Sequence, residues 1–183
     1  MEPQMPARKG WQIESKDFWE NYAPKGRPET TYILYEIQWG SHKIWRHWCT
    51  NSFSQHAEIN ALDKHEEILQ QNTTRCHIIW YLSWSPCGIC SQFIIEFLKK
   101  HPNVTLKIKV AQLFSPNDKR NKNGLRKLVT SGVQLFIMSQ SDYYYCGRTF
   151  VAQRRMDNCY LKSWDFLFSI WHNLLYLNAI LNE

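Results

Sequence analysis

The chain has 183 residues, of which 44% are hydrophobic and 15% aromatic, and it carries a formal net charge of +6 with a pI near 9.0. A chain of this size can bury a core of its own, so we expect one domain over residues 1–183. No run approaches the roughly 20 consecutive apolar residues of a membrane span, and the first residues lack the apolar centre of a signal peptide. We therefore expect a cytoplasmic and/or nuclear protein that does not enter a membrane.

Hydrophobic periodicity predicts strands and helices that alternate along most of the chain. A Gly-Ser pair at Gly40 and Ser41 separates the first two strands and indicates a hairpin. In chain order, the predicted elements are strands at 31–40 and 42–48, a helix at 56–71, a strand at 76–84, a helix at 90–100, a strand at 104–114, a helix ending near 132, a strand at 133–138, and helices at 142–153 and 161–181. Alternating strands and helices predict a layered α/β domain whose sheet is covered on both faces.

The last predicted helix contains the segment WDFLFSIWHNLLYLNAIL, which is too apolar for both of its sides to face water. It either covers the sheet or exposes a patch for a second subunit or a protein partner. A helix that lies on a membrane surface carries Lys and Arg on its polar face, and this segment has neither. We therefore expect a possible homodimer or protein partner at this helix, and no membrane.

The positive charge and the aromatic content together indicate the class of ligand. Basic residues select polyanions, and aromatic rings among them offer surfaces on which unpaired bases can stack. This combination favours single-stranded DNA or RNA over a duplex.

Two short motifs provide candidate metal ligands. Cys87 and Cys90 are three residues apart in SPCGIC, where a buried strand gives way to a helix, and Pro86 is predicted at the first helical position. The positive end of the helix dipole favours their thiolate forms. His56 lies at another helix start, so His56, Cys87 and Cys90 supply three zinc ligands, which leaves a fourth position open as in catalytic sites.

Glu58 follows His56 by two residues, a spacing at which it does not share the helix face of His56. It is predicted to reach the open position of the metal and not the metal itself. Two alternatives remain at this point: a redox pair at Cys87 and Cys90, or a structural zinc site completed by Cys76 or His77.

The spacing of these motifs resembles that of AID/APOBEC polynucleotide cytidine deaminases, and the resemblance extends over nearly the whole chain. The segments LYEIQWG, YLSWSPCGICS, NKNGLRKLVTSGV and IMSQSDYYYC are most similar to the branch that contains the apolipoprotein B messenger-RNA editing enzyme. The resemblance implies a three-layer cytidine-deaminase-like α/β fold, with about five strands in a mixed sheet and about six flanking helices. It also implies one catalytic Zn²⁺ and conversion of cytosine to uracil in single-stranded DNA and/or RNA.

The same resemblance implies roles for individual residues. Glu58 would carry a proton from water to the cytosine ring and then assist the departure of ammonia. Residues matching the family's target-base pocket are Thr31, Asn51, Trp84, Ser85 and Phe114. Residues that could line the path of the strand or form the loop reading the preceding nucleotide are Arg27, Arg46, Ser115, Asn117, Lys119 and Arg120.

Two other functions are compatible with parts of this pattern. One is a deaminase of free nucleosides, against which the positive charge and the chain length argue. The other is a non-catalytic zinc fold that binds RNA and recruits partners, and such a module has no use for Glu58 beside an open metal position.

Overall fold

A computed structural model describes residues 10–23, 28–41, 43–70, 74–152 and 158–183. The strands are β1 (Tyr32–Trp39), β2 (Lys43–Thr50), β3 (Cys76–Trp84), β4 (Val104–Gln112) and β5 (Gln134–Ile137). The helices are α1 (Ser15–Tyr22), α2 (Ala57–Gln70), α3 (Gly88–Lys100), α4 (Lys119–Thr130), α5 (Gln140–Thr149), α6 (Asn158–Leu161) and α7 (Trp164–Asn182). Among the described residues there are thus five strands and seven helices, which confirms the predicted α/β class.

The five strands form one mixed sheet in the order β2-β1-β3-β4-β5. β1 is antiparallel to both β2 and β3, whereas β3, β4 and β5 run parallel to one another. The predicted hairpin joins β1 to β2, and Gly40 in its turn has a φ of +60°, which a residue without Cβ adopts at no steric cost. The parallel strands are connected through helices, as parallel pairing requires.

Two clusters of buried apolar residues cover the two faces of the sheet. Alternate residues of β1 divide between them. Ile33 belongs to the cluster that contains residues of α2, α3, α4 and the end of α7, whereas Leu34 belongs to the cluster that contains residues of α1, α5, α6 and the start of α7. β3 is buried on both sides, with Trp80 on one face and Tyr81 on the other. The molecule therefore has three layers, as expected for a sheet with apolar residues on both faces.

Parallel pairing brings the carboxyl ends of β3 and β4 side by side. Trp84 at the end of β3 is in register with Gln112 at the end of β4. The segments that follow these strands, together with the start of α2, form one edge of the domain. Such an edge is where open α/β sheets bind their ligands.

Some details differ from the sequence prediction. α1 and α6 were not predicted, and β4 ends at Gln112 and not at residue 114. Pro86 is not the first helical residue, because α3 begins at Gly88 and Cys87 is its N-cap. Within the part of the chain that the structure describes, no helix has both the length and the apolarity needed to cross a membrane.

Candidate metal centre and adjoining pocket

Three side chains from two helix starts converge at the carboxyl edge of the sheet. His56 directly precedes α2, and its carbonyl oxygen accepts the N–H groups of Ile59 and Asn60. Cys87 caps α3, where its sulfur accepts the N–H of Cys90 at 3.4 Å. The sheet thus brings together residues that are 31 and 34 positions apart in sequence.

The distances among these three side chains fit a single metal ion. The Nδ1 atom of His56 lies 3.7 Å from the Sγ of Cys87 and 3.3 Å from the Sγ of Cys90, and all three ligand atoms lie within 4.8 Å of one another. For zinc with Zn–S near 2.3 Å and Zn–N near 2.05 Å, tetrahedral geometry places N and S about 3.6 Å apart. The donor set of one imidazole and two thiols therefore suits zinc.

No fourth protein ligand joins this group among the described residues. Cys76 and His77, the alternative candidates, lie at the opposite end of β3, and the His77 ring is hydrogen-bonded to the hydroxyl of Thr105. The arrangement has three ligands with one position left over, the pattern of catalytic zinc sites and not of structural ones.

The two thiols differ in their affinity for protons. A hydrogen bond from Cys90 lowers the pKa of Cys87 to about 5, which favours the thiolate at this position. The same bond, together with burial, raises the pKa of Cys90. Cys90 therefore holds the proton of the pair, and it must lose that proton when both sulfurs bind a metal ion.

Glu58 lies beside the three ligands on the first turn of α2 and is only 4% exposed. Desolvation raises the pKa of its carboxyl to about 7. Its side chain lines the same pocket as His56 and Cys87. A buried carboxyl in this place can both accept and donate a proton near neutral pH.

The pocket next to the ligands has a volume of about 210 Å³. Its aromatic walls, Trp84 and Phe114, meet edge to face with ring centroids 6.3 Å apart. The complete lining is Glu29, Thr31, Asn51, His56, Glu58, Trp84, Ser85, Cys87 and Phe114. All five residues predicted to bind the substrate are therefore part of one pocket with Glu58.

Hydrogen bonds to the backbone hold the polar lining residues in place. The Oδ1 of Asn51 accepts the N–H of Thr31 at 2.7 Å, and the Oγ of Ser85 accepts the N–H of Phe114 at 2.9 Å. The indole N–H of Trp84 donates to the carbonyl of Pro28 at 3.1 Å. These side chains thus build the pocket as well as line it.

A second cavity of about 330 Å³ adjoins the first and shares Glu29, Thr31, Trp84 and Phe114 with it. Ser115, predicted as part of the loop that reads the preceding nucleotide, lines this second cavity. Glu29 was not predicted, because an isolated carboxylate in a loop carries no motif by which sequence reasoning could find it.

The other residues predicted for the strand path lie elsewhere. Three of them are exposed but line neither cavity: Asn117, Lys119 and Arg120. The Nη2 atom of Arg120 lies 3.6 Å from the Oδ2 atom of Asp118. Arg46 is not at the pocket, because its Nε is paired with the buried Glu36 at 2.6 Å in the middle of the β1–β2 hairpin. Arg27 lies outside the described residues.

Three candidate metal ligands, a buried carboxyl beside them and an aromatic pocket are the combination found in zinc-dependent nucleobase deaminases. Comparison with known proteins agrees with this assignment. A family model described as "APOBEC4-like -AID/APOBEC-deaminase" matches residues 21–153. The chain belongs to the AID/APOBEC deaminase family, as its motifs predicted.

Individual relatives support the same placement. The chain is 44% identical to the "C->U-editing enzyme APOBEC-1" of Mus musculus over 158 residues, which is 85% of this chain and 68% of that protein. It is 50% identical to the protein of the same name from Pongo pygmaeus over 141 residues, or 76% of this chain and 59% of that one. The "DNA dC->dU-editing enzyme APOBEC-3H" of Felis catus is 29% identical over 145 residues, or 79% of this chain and 70% of that one. The matched region is thus about 59% to 68% of the length of these two APOBEC-1 proteins.

Proposed function

We propose that this protein is a zinc-dependent hydrolase that converts cytosine to uracil, with release of ammonia, in single-stranded DNA and/or RNA. The observation that carries the proposal is the position of Glu58. It is buried, and it lines one pocket together with the candidate ligands His56 and Cys87 and the aromatic residues Trp84 and Phe114. Neither a redox pair nor a structural metal site requires a carboxyl in this place.

His56, Cys87 and Cys90 would hold the zinc ion. When bound, zinc acts as a Lewis acid that lowers the pKa of water from about 16 toward about 7. The protein's own contribution to the reaction is the movement of protons. Glu58 accepts a proton from the attacking water and delivers it to N3 of cytosine. It then takes the second proton from the hydroxyl group that is now on C4 and passes it to the amino group, which leaves as ammonia when the C4–N bond breaks.

The pocket holds the base by contacts on several sides. Trp84 and Phe114 supply aromatic surfaces for a base that has left its stack, and such pockets bind a flipped base between rings. Thr31, Asn51 and Ser85 provide polar groups around it. Because their backbone hydrogen bonds already orient these residues, little rearrangement is needed when the base enters.

Polynucleotides are favoured over free nucleosides as substrates for two reasons. The net charge of +6 suits a polyanion, and the relatives carry the names of C->U-editing and dC->dU-editing enzymes. The second cavity next to the pocket offers room for part of a neighbouring nucleotide.

The central test offers the purified zinc-loaded protein a single-stranded DNA oligonucleotide, the matching RNA and free cytidine, and measures uracil and ammonia in each. We expect product from at least one oligonucleotide and little from cytidine. Product from cytidine alone would favour the nucleoside deaminase, and no product from any substrate would favour the non-catalytic binding module.

Binding affinity separates the same alternatives independently. If lysine and arginine side chains neutralise phosphates, the logarithm of the binding constant for a single strand falls with the logarithm of salt concentration, with a slope of about −0.7 for each phosphate contacted. A binding constant that does not change with salt would contradict a polynucleotide substrate.

We also propose a reversible homodimer through α7. Its outward face carries large apolar side chains at spacings of four, three and four residues, the spacing of a helix-pairing seam. These residues are Trp164, Phe168, Trp171 and Leu175, which are 46% to 78% exposed. Asp165 is the sole charged residue of the helix. Two copies would bury on the order of 1,000 Å² in total, the size of a weak specific contact.

Sedimentation over a range of protein concentrations tests this dimer. We expect dimers at high concentration in the parent and monomers in Trp171→Glu. Gln70→Glu, which adds a negative charge at the exposed end of α2 and away from the seam, should behave like the parent. A parent that stays monomeric at every concentration would contradict the proposal.

We further propose that residues 1–183 form one deaminase domain located in the cytoplasm and/or nucleus. The family match over 21–153 and the packing of Leu177 and Ile180 of α7 into the main core support one domain. All six cysteines are free, as is usual in a reducing compartment. Fluorescence microscopy of the tagged protein tests the location, and a secreted or vesicular signal would contradict it.

A further inference from the structure

Asn121 lies outside the pocket, in the first turn of α4, yet its side chain connects two parts of the site. The N–H of Gly88 donates to its Oδ1 at 2.9 Å. Its Nδ2 donates to the carbonyl oxygens of Phe114 at 3.2 Å and Ser115 at 3.3 Å. Gly88 follows the ligand Cys87 directly, so one buried amide joins the metal-binding helix to the aromatic wall.

The segment held by Asn121 does not adopt an ordinary conformation. Ser115 has a φ of +41°, and among the described residues it is the one non-glycine with a positive φ. L-residues rarely adopt this region, and surrounding contacts must maintain it. Phe114 is held on both sides, since its N–H donates to Ser85 and its carbonyl accepts from Asn121. The position of the Phe114 ring therefore depends on these two anchors.

Helix α4, which carries Asn121, is in direct backbone contact with α3, so α4 cannot shift independently of α3. A Cβ atom at Gly88 would lie 2.6 Å from the carbonyl oxygen of Arg120, and one at Gly124 would lie 2.8 Å from the Oγ of Ser91. Both glycines are needed for this close approach. Asn121 is thus fixed relative to the metal ligands.

We propose that Asn121 is a positioning residue that sets the location of Phe114 and Ser115 relative to the metal ligands, and thereby the affinity of the pocket for its substrate. The inference rests on the deaminase function proposed above. An amide is required at this position, because it accepts one hydrogen bond and donates two. A carboxylate accepts from Gly88 but has no proton to donate to the two carbonyls.

The substitution Asn121→Asp uses this chemistry. It keeps the shape of the side chain and the acceptor for Gly88, and it removes both bonds to the 114–115 segment. We expect faster amide hydrogen exchange in the peptide 113–118, while zinc content stays at the parental level. The KM and the Kd for a single-stranded oligonucleotide should rise roughly tenfold, as the loss of one to two hydrogen bonds predicts. The kcat should change by less than about threefold, because Glu58 and the ligands stay in place.

Asn123→Asp is the matched control. Asn123 is exposed two residues further along α4 and accepts a hydrogen bond from Arg126 at 2.9 Å. The variant adds the same negative charge close to the same surface but leaves the 114–115 segment anchored. We expect its KM and Kd to stay within about twofold of the parent at 0.15 M salt, where the surface charge is partly screened.

Asn121→Ala removes all three bonds without adding charge, and it should reproduce the faster exchange and the higher KM. If both Asn121 variants keep the parental exchange and KM, the proposal is wrong. If both instead lose zinc or unfold while Asn123→Asp is intact, Asn121 has an architectural role only, and the proposal is equally wrong. A parent that deaminates nothing would refute the proposed function, whereas an active parent with unchanged Asn121 variants would refute this inference alone.

Discussion

Helix α2 carries two buried ionisable side chains, Glu58 and His65, which are seven residues apart and therefore share one helix face. Glu58 is 4% exposed and His65 is fully buried. Burial favours the uncharged form of both, since it raises the pKa of Glu58 to about 7 and lowers that of His65 to about 3. The two residues are therefore alike in being buried and in having a pKa shifted toward the uncharged form.

Their surroundings separate them. His65 is enclosed by aromatic rings, with Trp80 donating to its Nε2 at 2.7 Å and the ring of Tyr35 4.6 Å away. Glu58 lines a cavity beside three candidate metal ligands. One helix thus holds a histidine that stabilises the core and a carboxyl that a ligand can reach. Access to a cavity, and not burial or a shifted pKa, makes Glu58 the candidate functional group of the two.

The largest expected effect on activity and stability comes from removing one of the candidate metal ligands beside Glu58. Cys87→Ser replaces a thiolate by a hydroxyl, which is a poor zinc ligand, and should remove zinc and abolish deamination. The melting temperature should also fall, because zinc binding energy contributes to folding. Metal analysis measures the zinc content and calorimetry measures the melting temperature. The control is Cys159→Ser, which replaces an exposed cysteine. Full zinc occupancy in Cys87→Ser would contradict the ligand assignment.

Glu58→Gln should have the next largest effect, and on activity alone. It keeps size and hydrogen-bonding capacity but cannot move the proton, so kcat should fall by a factor of about 10² to 10⁴. Zinc content and affinity for a single strand should stay near parental values. The control is Glu67→Gln, which changes an exposed residue of α2 and should leave zinc content, affinity and kcat at parental values. A loss of zinc in Glu58→Gln would make Glu58 a ligand, and parental activity would place the proton transfer elsewhere.

His65 should affect stability and not catalysis. Its pKa is about 3 when folded and about 6.5 when unfolded, so the unfolded chain binds more protons between these values and stability is lost as pH falls through this window. The contribution is about 2 kcal/mol between pH 7 and pH 5. His65→Gln should therefore show a smaller loss of unfolding free energy over this range than the parent or the surface variant His172→Gln. An unchanged pH dependence would show that His65 does not titrate as its burial requires.

The smallest effect is expected at His77, the rival zinc ligand. His77 is exposed at the far end of β3, and its replacement by alanine should change the unfolding free energy by no more than about 0.5 kcal/mol. Zinc content and activity should equal those of the parent. Loss of zinc in His77→Ala would show that His77 is a fourth ligand and that the zinc site is structural.

Most of the fold could be predicted because its signals are local. The continuous apolar run of β3 and the Gly40–Ser41 turn each act over a few residues, and the structure agrees with both. α1 was missed because SKDFWENY is short and carries few apolar residues, and its burial depends on contacts of Phe18 and Tyr22 with distant parts of the chain. The ion pair of Arg46 with Glu36 depends on the register of the hairpin, which the sequence does not give, and the place of Arg46 on the strand path stays a prediction.

The sequence by itself determined the family, the candidate ligands and the separation of Glu58 from them, because these depend on residue types at short spacings. Only the tertiary structure decided that His56 lies within 3.7 Å of both sulfurs, that Trp84 and Phe114 face one pocket, and that Asn121 joins its two sides. It also decided that His65 is sealed in the core while Glu58 opens onto a cavity. The reason is physical: spacing along the chain sets which face of an element a side chain occupies, whereas the packing of helices on the sheet sets what that face meets.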